Sequence, residues 1–541
     1  MSERSRGLSS LARSGFSTAR AEEQLRAGGW WDDHGAVDGS QPVLQALSRA
    51  ADPDVALHGL DRLREALGDG WTELADRLRT EQGLRGRLLG VLGASTALAD
   101  FLAANPGSWR RLGENDRDPS DATKALFDAV RSGATNGAMF AGITGNEAIS
   151  ALQHDYRALL LDVAAEDLGH TVEPELPVPS YERITARLTE LAEAALRAAL
   201  AVATSEVLGD PDGGDRTPAC RLTVVAMGKC GGRELNYVSD VDVVFVGDGD
   251  IDVATRLASA TMRVAGQAAF EVDAALRPEG KAGALVRTLD GYRSYYKRWA
   301  RTWEFQALLK ARPIAGDAEL GQSYSDAVQP MVWSAAERED FVVDVRSMRR
   351  RVERHVPANV AERELKLGHG GLRDVEFAVQ LLQLVHGRSD ERLRSQSTVE
   401  ALKALGEGGY VGREDAAGLG ESYQFLRVLE HCLQLRKLRR THLFPEFDDE
   451  ADLRWLARSA GIKPSRGRAA HQVLLAEFHQ HVKRIRRLHE KLFYRPLLEA
   501  VARVPTGALR LTTKDAVARL AALGYAAPDG ALKHISALTS G

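Results

Sequence analysis

Apolar residues recur at helical spacing over most of the first two hundred positions. Leucines stand three to four residues apart through 60–67 and again through 84–92, the pattern of helices that bury one face. An alanine-rich stretch over 181–204 predicts a long helix. The run Gly209-Asp210-Pro211-Asp212-Gly213-Gly214-Asp215 then breaks the periodicity. Beyond it come short apolar runs at 222–227, which is rich in valine, 241–246, 270–276 and 284–289, which predict strands, with a helix over 253–269 between the second and third. From about Tyr292 the helical spacing returns, clearest at 341–355, 374–386, 423–440, 469–492 and 513–523. The expected fold class is α+β and predominantly helical, a small mixed-sheet core with helical domains before and after it. The expected domains are 1–205, 206–300 and 301–505, with 506–541 opening a linker or a further domain.

Composition narrows the classes. The 541 residues carry 71 Lys and Arg against 75 Asp and Glu, and 44% are apolar, a globular balance. A pI near 6.4 argues against a nucleic-acid binder, which usually has a basic domain. No apolar run reaches the length of a membrane span and the N-terminus lacks a signal-peptide core. Three scattered cysteines form neither a disulfide framework nor a zinc site, so the reducing cytoplasm is the expected compartment.

The densest chemistry lies where the first predicted strand ends. Gly228-Lys229-Cys230-Gly231-Gly232 is a glycine-rich turn, and Ser239-Asp240-Val241-Asp242 opens the next strand. In a strand, Asp240 and Asp242 would face the same way, about 6.6 Å apart. Two such carboxylates repel each other unless a cation lies between them, and hard oxygen donors suit Mg²⁺ or Mn²⁺. Gly228, Gly231 and Gly232 would let backbone amides approach phosphate, with Lys229 adding a charge and Ser239 a hydroxyl. Asp273, in an apolar run, supplies a third carboxylate. Three carboxylates on adjacent strands can hold two metals about 3.5–4 Å apart for phosphoryl or nucleotidyl transfer. A lone Asp-x-Asp or glycine turn usually means only a turn; the conjunction is what points to a metal site.

This arrangement resembles the nucleotidyltransferase superfamily that includes DNA polymerase β. It is most similar to bacterial glutamine-synthetase adenylyltransferase/adenylyl-removing enzyme, with its Gly-Lys-x-Gly-Gly-x-Glu-Leu-x-x-x-Ser-Asp-x-Asp motif at 228–242 and a Val-Asp-x-x-Leu-Arg-Pro segment at 272–278. Stretches at 295–317, 365–380 and 426–434 look like the same family, as does 92–102. That family has two homologous catalytic halves, one adding AMP to a tyrosine of glutamine synthetase and one removing it by phosphorolysis. A single motif copy, the Asn236 variant and the long helical leader look like the N-terminal half.

The resemblance implies deadenylylation: phosphate attacks adenylyl-tyrosine, giving ADP and unmodified glutamine synthetase. Asp240, Asp242 and Asp273 would hold Mg²⁺ (or Mn²⁺). Lys229, Arg277, Lys310, Arg312, Lys366 and Arg373 are candidates to screen phosphate charge, while Glu304 could contact metal, ribose or Arg312. Asp374 and Glu376 fit either helix capping or the site. Cys230 and His369 read as structural. Implied partners are adenylylated glutamine synthetase, phosphate, ADP and the PII signal protein, with neither nucleic acid nor membrane. The rival readings are adenylylation from ATP and a nucleotide-sensing module without turnover.

Overall fold

A computed structural model describes residues 15–17, 20–113, 120–135, 138–209, 219–338 and 356–502 and the single positions 341, 344 and 348. The chain divides into a unit Met1–Glu490 and a second, Lys491–Gly541, of which residues 491–502 are described and helical.

The predominantly helical α+β expectation holds. The leader builds helices Pro53–Leu67, Gln82–Ala94, Gly145–Val172 and Tyr181–Leu208, among others. Gln82–Ala94 is buried nearly all round, with Leu84, Leu88, Leu89 and Leu92 in the core, so it is a central helix of this region. Tyr181–Leu208 begins where the Ser180 hydroxyl accepts the Arg183 amide at 3.2 Å. Its buried Ala192, Ala195, Ala198 and Ala199 lose little side-chain entropy and let helix Ile251–Ala268 pack closely. The leader also contains two small antiparallel hairpins that helical periodicity does not predict: β1 Trp31–Asp32 with β2 Gly35–Ala36, and β3 Gly133–Thr135 with β4 Ala138–Phe140.

The central sheet has five strands: β5 Cys220–Ala226, β6 Val241–Gly249, β7 Val272–Asp273, β8 Val286–Thr288 and β9 Arg312–Gly316. β6 pairs antiparallel with β5, while β7 and β8 pair parallel with its other edge. β5 pairs antiparallel with β9. Val224, Val225 and Val243 to Val246 are fully buried, which is why the valine runs read as strands. Two expectations change. The strand expected over 270–276 shrinks to two residues, and β9 falls where helix was expected. Arg-Pro-Ile-Ala-Gly lacks alternation, and Pro313 cannot donate to a ladder, which suits an outer strand.

The expected helices over 374–386, 423–440 and 469–492 correspond to Leu372–His386, Arg413–Leu435 and Ala470–Ala502. The helix expected over 513–523, and most of that over 341–355, lie outside the described residues.

Candidate active site

β5 ends at Ala226 and the glycine turn follows as one helical turn, Gly228–Gly231. Gly228 has φ +53°, a left-handed conformation that favours glycine. A Cβ there would lie 2.5 Å from Asp242 Oδ2, so the bare backbone is what admits the carboxylate. At Gly231 a Cβ would meet the Lys310 carbonyl at 1.8 Å. The amides of Gly231 and Gly232 donate to the Met227 and Gly228 carbonyls at 2.9 and 3.1 Å. That corrects the expectation that these two amides serve phosphate: they close the turn instead.

The fold brings the charges of the other two aspartates to bear on Asp242. Parallel pairing sets Asp242 of β6 opposite Asp273 of β7. Asp240 lies in the loop just before β6 rather than in a strand, so alternation does not set its direction. Burial, then the charges of Asp240 and Asp273, push the Asp242 carboxyl up to about 6, while Lys366 and Arg373 pull it back. Asp240 Oδ1 accepts from the Ser239 hydroxyl at 3.4 Å, and Oδ2 from Arg440 at 2.8 Å. Asp273 Oδ1 accepts the Ala275 amide at 2.7 Å. Among the described residues no three His, Cys, Asp or Glu side chains are grouped as a ready-made metal cage.

Lys366 and Arg373 come together across the turn Gly368–Gly371, where the Arg373 amide donates to the Lys366 carbonyl at 2.9 Å. Arg373 Nε is buried without a hydrogen-bond acceptor, its nearest carboxylate being Glu376 at 3.8 Å. Lys366 forms no ion pair among the described residues. Asp374 caps this turn, its Oδ2 accepting the Gly370 amide at 2.8 Å, and His369 is exposed. Glu376 is buried; burial pushes its carboxyl up, but Arg373, Lys310, Lys229 and Lys366 outweigh that and hold it low.

Other expected phosphate ligands are committed elsewhere. Lys229 Nζ lies 3.3 Å from the buried Glu430 and 3.4 Å from Asn236 Oδ1. Burial draws Lys229 down to about 8, with Glu430 opposing. Glu430 is itself pushed up by burial but held well below its usual range by Lys229, Arg427 and His442. Lys310 Nζ donates to Glu234 at 2.6 Å and to Thr398 at 2.9 Å. Arg312 holds the glycine turn from behind through the Gly231 and Cys230 carbonyls, at 3.0 and 2.9 Å, and pairs with Glu193 at 2.6 Å. Arg277 donates to the carbonyls of Gly283, Ala274 and Lys281, bracing its own loop. Glu304 accepts the Arg301 amide and the Tyr295 hydroxyl, so it begins its own helix and does not touch Arg312. Burial pushes the Cys230 thiol up to about 12, an inert packing group.

Sequence reasoning missed the buried groups that hold the motif. Glu234 accepts the Thr398 amide at 2.7 Å as well as Lys310, joining the loop after the glycine turn to helix Thr398–Glu407. Gln434 Oε1 accepts from Asn236 at 2.9 Å and from the Val238 amide at 3.0 Å. Arg427 donates to the Glu234 carbonyl at 2.6 Å. Glu430, Gln434 and Arg427 all lie in the 426–434 stretch, whose signal was the resemblance alone. Arg440 had only its basic run, 436–440, to mark it.

A family model described as glutamate-ammonia ligase adenylyltransferase matches residues 85–327, and one described as GlnD PII-uridylyltransferase matches residues 344–493. The chain is 57% identical over 538 residues to a bifunctional glutamine synthetase adenylyltransferase/adenylyl-removing enzyme of Nocardia farcinica. It is 55% identical over 539 residues to that of Mycobacterium avium and 53% identical over 540 residues to that of Mycobacterium tuberculosis. Each match covers 98% of this chain and 52% of the relative. The motif and the mixed sheet that carries it thus stand in a chain similar along 98% of its length to bifunctional glutamine synthetase adenylyltransferase/adenylyl-removing enzymes, and the chain spans about half the length of those relatives.

Proposed function

We propose that this site deadenylylates glutamine synthetase by phosphorolysis. A phosphate oxygen bonds to the α-phosphorus of adenylyl-tyrosine, the bond from phosphorus to the tyrosine oxygen breaks, and ADP and the tyrosine hydroxyl result. The observation that carries the reading is Asp242, half-buried, acted on by the charges of Asp240 and Asp273 and countered by those of Lys366 and Arg373. Mutually repelling carboxylates are the donor type that a hard divalent cation, Mg²⁺ or Mn²⁺, would draw together, and Asp240, Asp242 and Asp273 would hold it although they form no ready-made cage. When bound, such a cation supplies charge neutralisation at the adenylyl phosphate. Lys366 and Arg373 then draw in the second anion, inorganic phosphate, and screen its approach. The unsatisfied Arg373 Nε is a donor waiting for an acceptor.

The names of the relatives support glutamine synthetase as substrate but include both addition and removal of AMP. The distinguishing test incubates the chain with adenylylated glutamine synthetase, Mg²⁺ and phosphate and follows ADP. Removal gives phosphate-dependent ADP, and Asp240→Asn with Asp242→Asn abolishes it without changing the circular dichroism spectrum. ATP consumption with unmodified glutamine synthetase, and no ADP from the adenylylated form, would assign addition instead. Lys366→Ala and Arg373→Ala should each raise the KM for phosphate by about tenfold or more, the size of a charge-assisted hydrogen bond.

A further inference from the structure

Trp299 is 73% exposed, an unusual state for so large an apolar side chain. Its surroundings are not a loose loop. The Trp299 and Ala300 amides donate to the Tyr295 carbonyl at 2.8 and 3.3 Å, and Arg338 donates to the Ala300 carbonyl at 2.7 Å. On one side Tyr292 and Tyr296 are buried; on the other, the Glu304 carboxylate holds the Arg301 amide at 3.0 Å. The indole is therefore presented on a braced corner between helices Leu289–Arg298 and Thr302–Leu308. Around it Lys297, Arg298 and Arg301 are exposed, and none forms an ion pair with a described carboxylate.

The corner also connects to the site. The Tyr295 hydroxyl accepts the Glu279 amide at 3.4 Å, and Glu279 belongs to the loop that leaves β7 just after Asp273. We infer that Trp299, with Lys297, Arg298 and Arg301, is a docking surface for an acidic segment of the protein substrate beside its modified tyrosine. Tryptophan and arginine dominate binding hot spots, a preorganised corner limits the entropy lost on docking, and three exposed cations without an ion pair among the described residues select an acidic partner. This inference rests on the proposed substrate, adenylylated glutamine synthetase.

Two substrates separate docking from chemistry: adenylylated glutamine synthetase and a short O-adenylyl-tyrosine peptide. Trp299→Ala and Arg298→Glu should each raise the KM for the protein substrate, and the Kd for glutamine synthetase measured without turnover, about tenfold. On the short peptide kcat/KM should stay within about twofold of the wild type, since no chemical group is lost. Added salt should weaken wild-type binding more than that of Arg298→Glu. Equal losses on both substrates, unchanged Kd in both variants, or no binding by the wild type would overturn the docking surface. Tight, Trp299-dependent binding without ADP from either substrate would instead remove the phosphorolysis reading and leave the surface standing.

Discussion

Gly228→Ala and Gly231→Ala remove the same kind of residue from the same turn, yet the structure separates their effects. At Gly228 the new methyl meets only the tip of Asp242, whose Oδ2 is 2.5 Å away. An ordinary carbon contact needs about 3.5–4.0 Å, so the carboxylate must retreat by about 1 Å. The left-handed backbone adds about 1–2 kcal/mol for a residue with a Cβ, partly offset by a stiffer unfolded chain. The fold should therefore survive with a loss near 1 kcal/mol, while turnover falls on the order of a hundredfold, the usual result of misplacing a reacting group by about 1 Å. At Gly231 the obstacle is the Lys310 carbonyl at 1.8 Å, with the Ala226 carbonyl at 2.9 Å. Neither is a side chain that can rotate away. That variant should lose more than the roughly 1–3 kcal/mol of an ordinary overpacked core. Urea unfolding measures the stability difference, and phosphate-dependent ADP release measures turnover. The reasoning fails if Gly228→Ala keeps activity within threefold of the wild type, or if Gly231→Ala unfolds at the wild-type midpoint.

Three further predictions follow from buried and paired charges. Glu234→Ala should cost about 3–5 kcal/mol by stranding Lys310, and Glu234→Ala with Lys310→Met should be less destabilising than the two single losses added together; additive unfolding energies would show that the pair is not coupled. Burial raises Asp167 to about 6 from an ordinary 3.8, with the Tyr237 hydroxyl donating to it at 2.8 Å. The folded state thus keeps a proton that the unfolded chain releases, and stability should fall by about 3 kcal/mol as pH rises from 4 to 6, then level off. Asp167→Asn should flatten that segment of the pH–stability curve; an unchanged slope would locate the titration elsewhere. Finally, Arg440 occupies Asp240 Oδ2, so Arg440→Ala should tighten Mn²⁺ binding, by up to about fivefold for a pair this exposed. Weaker Mn²⁺ binding, read by calorimetry, would mean that Arg440 supports the site rather than competes for it.

What could be read from the residues alone was local. Asp240 and Asp242 are two positions apart, Gly228 opens the turn that feeds their strand, and the valine runs mark β5 and β6 as buried. Helices with wide apolar stripes announced themselves for the same reason: neighbours in sequence are neighbours in space. β9 stayed hidden because an outer strand with Pro313 and Gly316 carries neither alternation nor a valine run. The roles of the cations depended on what stands opposite each one, and that is a tertiary matter. Lys310 meets Glu234, 76 positions away; Lys229 meets Glu430, 201 positions away. Among the described residues Lys366 forms no ion pair and Arg373 only a long one, 3.8 Å, to Glu376, while the charges of both act on Asp242. The sequence by itself determined which residue types could serve a phosphate. Folding decided which of them are spent on buried partners, because a charge taken out of water must be matched, and only the unmatched ones are left to bind.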